Sequence, residues 1–503
     1  MAKSIHKQLS RRDFLKLSLA VAATAAFRPL TGIDMRQINE AYLAGPGGQG
    51  NLANPIEAPK FSPLTILAAS RLTFGAKPDD LAWIEVNGVD AFIEEQLAFE
   101  KIDDSAVNQS LQKLTTLTQS PTAPPPSSDL DVLGELQQSA VIRAVNSKRQ
   151  LFELMVDFWT NHFNIYFQLP SDYILKTIDD RDVVRAFGMG QFHDLLNASA
   201  HSPAMLICLN NNTSVSKQPN ENYARELMER HTIGINGGFT EKDVAAVAKA
   251  FTGWTVTQTV NKKPIVGNFN YLWNYHDINP KVILGNRLPG SQEVKDGETV
   301  LTILAGSPAT ATFISSKLAQ RFISDTPPDS VVKIGADAFQ KSQGDIRATL
   351  GAILHSQEFK ASSGLKVKRP FEYAVSALRV LNAKTDGGSA IQSFIQRMGQ
   401  PLFQWPFPDG YPDTAEAWIN SGSMLERWSF AKALASNLIP GTQVNLNSLV
   451  TPKGSIVDDM THAILYDALP TSGGDLLQSF TDPKKMPELA ALLIASPFFQ
   501  VRG

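Results

Sequence analysis

Between Asn220 and Trp254 the apolar positions repeat with a helical period, stop, and start again. At about 100° per residue, Ala224, Leu227, Met228 and His231 fall on one face of a helix, and Asn222, Arg225, Glu226 and Glu229 on the other. Asn220 is placed to cap it, because a short side-chain amide accepts from the free backbone N–H groups of the first turn. Thr240 and Asp243 have the spacing of a capping box ahead of the apolar Val244, Val247, Ala248 and Phe251, which predicts a second helix. Gly234 and Asn236-Gly237-Gly238 supply the left-handed conformations that a helix stop and a tight turn need.

The same period recurs along most of the chain. Leu64 to Leu72, Asp79 to Val86, Ala91 to Phe99, one long pattern from Leu133 to Phe167, Asp179 to Phe187, and Phe192 to Ala200 read as helices. So do Glu298 to Ala305, Ala309 to Phe322, Ser330 to Ser342, Ile346 to His355, Phe371 to Leu381, Trp418 to Asn437 and Pro487 to Ile494. Pro308, Pro327-Pro328 and Pro370 punctuate them. Strand-like alternation appears from Thr255 to Gly267 and predicts a short hairpin. Trp405 to Asp413 is too rich in Pro, Gly and aromatic residues for a helix, and suits a rigid loop covering a cleft or another helix. The expectation is a mainly α fold: one large helical domain over residues 61–503, with long irregular loops and at most a small β-hairpin. A C-terminal lobe from about residue 297 is the one subdivision the pattern allows. Residues 118–131 read as a Pro/Ser-rich surface insertion, and residues 26–60 as an extended arm.

The N-terminus adds an address. Ser10-Arg11-Arg12-Asp13-Phe14-Leu15-Lys16 matches the twin-arginine export motif, an Ala-rich apolar run follows to Ala26, and Ala23-Thr24-Ala25 offers a cleavage site. Residues 1–25 are therefore expected to be a signal peptide, and the mature protein periplasmic or otherwise extracytoplasmic. Cleavage leaves 41 basic and 48 acidic residues, a net charge of −7 against −3 for the whole chain. That acidic balance argues against a nucleic-acid partner. No later apolar run reaches the length of a membrane span. Cys208 is the single cysteine, so no intramolecular disulfide forms, and it reads as a small buried hydrophobe.

Candidate chemistry centres on the polar helix face. Glu226 and Glu229 are carboxylates one turn apart, able to ligate a metal or to act as acid and base; alternatively Arg225 pairs with a carboxylate and the face is simply solvated. His231 falls off that face, so this helix alone does not supply a compact three-ligand site. His162 lies among Trp159, Phe163 and Tyr166. His201 stands at a helix junction before Pro203, and His276-Asp277 reads equally as a ligand pair or as a turn with a nearby His.

Taken together, these blocks resemble the bacterial family called domain of unknown function 1800. They are Arg71-Leu72-Thr73-Phe74-Gly75, Trp159 with Asn161-His162-Phe163, His201-Ser202-Pro203-Ala204-Met205, and Asn220 through Thr232. Thr252-Gly253-Trp254, His276-Asp277, Lys281 with Leu284-Gly285, Gly344-Asp345-Ile346-Arg347 and Pro408-Asp409-Gly410-Tyr411-Pro412 complete them. The resemblance implies an exported, mostly helical protein, often encoded beside a second exported protein of unknown function, which is the partner it offers. It carries over no catalytic residue, but marks His162, His201, Glu226, Glu229, His231, His276 and Asp277. His193 and His355, and Ser70 where many relatives have His, depart from its pattern. Three readings follow. The first is a metal-assisted or acid/base hydrolase. In it, His162, His201, His231, His276 and Asp277 hold a divalent metal, Glu226 or Glu229 is the base, and Arg225 orients an anion. The second is a non-enzymatic partner or assembly factor for another exported protein, and the third a glycan- or cell-wall-binding module.

Overall fold

The computed structural model describes residues 61–120, 129–166, 173–260, 263–466, 477 and 480–503. The expected signal peptide and arm, and the middle of the expected Pro/Ser insertion, lie outside them. Among the described residues, helices dominate and β-structure is confined to three two-stranded antiparallel sheets, the mainly α fold that the periodicity implies. Helices begin where the local chemistry starts them. Asn220 Oδ1 accepts from Tyr223 N at 3.0 Å, and the Thr240 and Asp243 side chains bond each other's backbone N–H groups. Pro63, Pro78, Pro308 and Pro370 sit in first turns, where a missing N–H costs nothing.

Several elements differ from the periodicity. The long pattern from Leu133 is two helices, Asp129–Asn146 and Gln150–His162. Asp104 causes the break: its carboxylate accepts from Ser147 Oγ at 2.8 Å and Lys148 N at 2.9 Å, drawing the backbone out of the helical ladder. Asp179 to Phe187 continues a helix from Tyr173 through a π turn at Asp180–Val184. A second π turn, Leu227–His231, follows the helix Glu221–Glu226. The predicted hairpin is present as β1 (Trp254–Val260) and β2 (Lys263–Tyr271). A further hairpin, Lys281–Ile283 with Asn286–Leu288, has strands too short to show alternation. Asn420 interrupts the last long pattern by capping Ser421–Ala435.

The described residues fall into two compact units. One comprises the described residues up to Val89 with Ser363–Gln400 and Thr414–Gly503. Its core includes Tyr373, Phe430 and Phe499, with ring centroids about 6 Å apart. Buried guanidinium groups fasten its C-terminal segment. Arg71 Nε donates to Arg502 O at 2.8 Å, Arg502 Nη2 returns a bond to Arg71 O at 2.7 Å, and Arg427 donates to Gln500 Oε1 and Lys368 O. Lys368 Nζ lies 3.7 Å from the Phe499 ring centroid. Burial, and the positive Arg502 beside it, lower its pKa to about 7.

The other unit comprises Asp90–Ser362 and Pro401–Asp413. Three of its helices recur below: α1 (Gln150–His162), α2 (Glu221–Glu226, running into the π turn) and α3 (Pro308–Phe322). The loop at 401–413 is seated on the end of α1 by two amides. Asn161 Nδ2 donates to Tyr411 O at 2.8 Å while its Oδ1 accepts from Tyr411 N at 2.6 Å. Asn164 Nδ2 donates to Trp405 O and Phe407 O at 2.9 and 2.7 Å. Gly410 has φ +72°, and a Cβ there would overlap the Asn161 carbonyl oxygen, so no other residue fits.

Two outcomes are expected. Asn161→Ala loses both bonds to Tyr411 and destabilises this unit by about 2 kcal/mol in denaturant unfolding, and Gly410→Ala by at least as much. Unchanged midpoints would show the seating to be energetically idle. Lys368 has a folded pKa near 7 against an ordinary 10.5. Between those values the unfolded chain binds more protons, so wild-type stability rises with pH across that window. Lys368→Met therefore stabilises at pH 6, by about 1 kcal/mol or more, with the gain shrinking towards pH 10. A gain constant with pH would refute the assignment.

Candidate functional site

The last turn of α1 carries His162 into the interior, against the π turn of α2. His162 Nε2–H donates to His231 O at 3.0 Å, which leaves Nδ1 with the lone pair. That Nδ1, and Nε2 of His231, are buried and have no hydrogen-bond partner among the described residues. The two rings are 6.0 Å apart between centroids. Trp159, Phe158, Phe163 and Phe313 surround His162 with centroids at 5.3, 6.1, 4.6 and 6.3 Å. Burial and the nearby Lys317 keep both imidazoles neutral: His231 is pushed down to about 3, and His162 well below its ordinary value.

Charged groups rim this pair. Glu226 on α2 is half-buried, its Oε2 lacks a hydrogen-bond partner among the described residues, and burial raises its carboxyl pKa. Arg230 Nε stands 3.9 Å away, too far for a hydrogen bond. Lys317 on α3 has its Nζ 5.6 Å from the Phe313 ring centroid. Burial lowers its pKa to about 8, with Asp413 and Asp409 pulling it up and Arg230 pushing it down. Arg230 and Asp409 thus act on both Glu226 and Lys317. One turn along α3, Arg321 Nη2 donates to Asp157 Oδ2 at 3.2 Å and Nη1 lies 3.8 Å from Asp413 Oδ1. That pairing holds the end of the 401–413 loop beside Lys317.

The other expected site residues lie elsewhere. Arg225 donates to Glu229 Oε1 at 3.3 Å and to both Glu241 oxygens at 3.0 and 2.6 Å, a surface ion-pair cluster as on a solvated face. His201 Nδ1–H donates to Asn197 O at 2.8 Å, and its ring packs against Trp254 and Phe269, each at 4.4 Å. His276 Nδ1–H donates to Thr252 O at 2.8 Å while Nε2 faces Asp296 Oδ2 at 3.2 Å. Lys281 Nζ donates to Asp296 Oδ2, Asp277 O and Asn279 O at 2.7, 2.6 and 2.9 Å. A lysine ammonium thus stands among the oxygens near His276 and Asp277, where a metal ion was expected. Of the five expected ligands, His162 and His231 face each other, with ring centroids 6.0 Å apart. Among the described residues, no group of three or more His, Cys, Asp or Glu side chains is arranged to hold a metal ion. Cys208 is half-buried rather than buried, its Sγ 3.4 Å from Tyr166 N, and burial raises its thiol pKa.

Sequence reasoning missed Lys317, Arg230, Asp409 and Asp413. Asp409 and Asp413 stood in a recognised Pro/Gly/aromatic block whose role was left as packing or cover. Lys317 sits on an ordinary amphipathic helix and carried no signal at all.

A twin-arginine translocation pathway signal sequence is matched at residues 8–27, so the protein is exported by that route to the periplasm or extracytoplasmic space. No single helix among the described residues is long and apolar enough to cross a membrane. Neither a curated protein nor a solved structure matches the chain. Residues 67–501 match the model of one family, "Protein of unknown function (DUF1800)", and with its match to nearly the whole mature length the chain belongs to that family.

Proposed function

We propose that this exported protein is an acid/base hydrolase whose reacting groups are Glu226 and Lys317. One observation carries the reading: a carboxylate with a raised pKa and an amine with a lowered one share Arg230 and Asp409 as neighbours. An environment that moves two titratable groups towards neutrality from opposite sides is what proton transfer in both directions requires. Glu226 takes a proton from the attacking water, and Lys317, a stronger acid than an ordinary lysine, gives one to the leaving group as its bond to the substrate breaks. The loop at 401–413 supplies an apolar wall, with Phe407 exposed and Trp405 bonded through Nε1 to Asp409 Oδ1 at 3.0 Å. Arg225, which donates to both Glu229 and Glu241, and Glu229 itself are left outside the reaction.

A second reading, a docking protein for another exported protein, is favoured by Trp273, Tyr275 and Ile278. These lie within six residues and are 73%, 46% and 61% exposed.

The first reading is tested by incubating the signal-cleaved protein with chromogenic esters, glycosides and amides. Turnover is expected to follow a bell-shaped pH profile. Its acid limb lies above the ordinary carboxyl value of 4.5, because Glu226 must be ionised, and its alkaline limb near pH 8, where Lys317 loses its proton. Glu226→Gln is expected to lower kcat by about 100-fold or more with the fold intact. Activity indifferent to Glu226→Gln would sink the proposal. For the docking reading, Trp273→Ala is expected to abolish co-purification of a periplasmic partner; retention of that partner would remove this surface from consideration.

A further inference from the structure

Glu226 and Lys317 are able to act on several kinds of bond, and the surfaces around them narrow the choice. We propose that the substrate is a carbohydrate, whose glycosidic bond is hydrolysed by Glu226 and Lys317 while a sugar ring stacks on the aromatic wall of the 401–413 loop. The inference rests on the acid/base reading for its two reacting groups and adds the chemical class they act on.

Three observations support it. First, the loop presents aromatic rings on a fixed backbone. Phe407 is 58% exposed. Its ring centroid is 5.7 Å from that of the half-buried Trp405, which packs at 4.8 Å on the buried Tyr411. Tyr411 Oη donates to Pro401 O at 2.5 Å, closing the loop on itself, and the Asn161 and Asn164 amides hold its backbone. A ring held this way loses little conformational freedom when a ligand covers it. Second, the rim beside the wall carries both signs of charge. Arg230 Nε stands 3.9 Å from Glu226 Oε2, and the exposed Asp409 acts on both Glu226 and Lys317. A hydroxyl group both donates and accepts, so a polyhydroxylated ligand satisfies cations and carboxylates together. An acyl chain would strip water from these charges without replacing its hydrogen bonds, and a phosphate would be repelled by Glu226 and Asp409. Third, Trp405 joins the two surfaces: its ring belongs to the wall, and its Nε1 donates to Asp409 Oδ1 at 3.0 Å. An apolar face and a hydroxyl-binding edge are thereby contiguous, and a sugar ring presents the matching pair, a face of C–H groups and an edge of hydroxyls.

The reaction needs no co-reactant besides water. Glu226 takes a proton from a water molecule, whose oxygen forms a bond to the anomeric carbon. The bond from that carbon to the glycosidic oxygen breaks, its electron pair stays on the oxygen, and Lys317 supplies the proton that makes it a hydroxyl. The proton gained by Glu226 balances the one lost by Lys317.

The test uses the signal-cleaved protein with para-nitrophenyl glycosides, para-nitrophenyl acetate and a peptide para-nitroanilide. Chitotetraose and cellotetraose serve as binding probes followed by tryptophan fluorescence. Glycosides are expected to give the highest kcat/KM, and an oligosaccharide to bind the wild type. Phe407→Ala is expected to raise KM about tenfold, with a smaller change in kcat, and to weaken oligosaccharide binding to the same extent. Phe407→Tyr is expected to restore both, because it keeps the stacking face. Glu226→Gln is expected to lose glycoside hydrolysis and still bind the oligosaccharide. Glu226-dependent turnover of the ester or the anilide with no glycoside hydrolysed would overturn the carbohydrate assignment and leave the acid/base reading standing. Glycoside turnover indifferent to Glu226→Gln would do the reverse, removing Glu226 as the base while the substrate class stands. If no chromogenic substrate is turned over, oligosaccharide binding decides. Binding weakened by Phe407→Ala supports the assignment, and no binding, or binding indifferent to Phe407→Ala, overturns it.

Discussion

The amide of Asn161 is the constraint on which the candidate site depends. A side-chain amide presents a donor and an acceptor side by side, the same pair that a peptide group presents. Asn161 therefore binds both the N–H and the C=O of Tyr411, as a neighbouring strand would, without a strand being present. The cost of bringing a distant loop to this helix end is offset by saturating its backbone, and the contact is so close that position 410 admits only glycine. Through this seating, Asp409 and Asp413 come to act on Lys317 and Asp409 on Glu226.

A second feature is the division of α2 between two environments. Arg225 pairs with both Glu229 and Glu241, and exposed ion pairs of this kind contribute little to stability. Glu226 has no hydrogen-bonded partner for Oε2 among the described residues, and its carboxyl pKa is raised by burial. These two glutamates, three apart, have side chains 17% and 19% exposed, and what separates them is the partner: Arg225 donates to Glu229 Oε1, while Glu226 Oε2 has no hydrogen bond among the described residues. The π turn that follows ends in His231, whose backbone carbonyl and ring both face His162.

The contrast between the histidine neighbourhoods is instructive. Around His276, Lys281 supplies the cation of a network that includes Asp277, Asn279 and Asp296. Around His162 and His231, two ring nitrogens have no partner among the described residues. Residue type is the same in both places, and the packing around each histidine decides which of its ring nitrogens is bonded.

The sequence alone determined the export address, the mainly α class, the caps at Asn220 and Thr240, the first hairpin and the family, because each of these is written in neighbouring residues. Twin arginines, helical periodicity and a capping box are local patterns and survive without a fold. It also singled out Asn161-His162, Glu226, His231 and Pro408 to Tyr411 as unusual blocks, though not as parts of one site. Tertiary structure decided which of them meet, that His201 and His276 lie apart from His162, that Asp104 breaks the long helix, and that the chain divides into two units. It also supplied Lys317, an unremarkable helical lysine until burial shifts its proton affinity. Convergence of distant residues and the desolvation of a single charge depend on what the rest of the chain packs around them, and no local pattern encodes either.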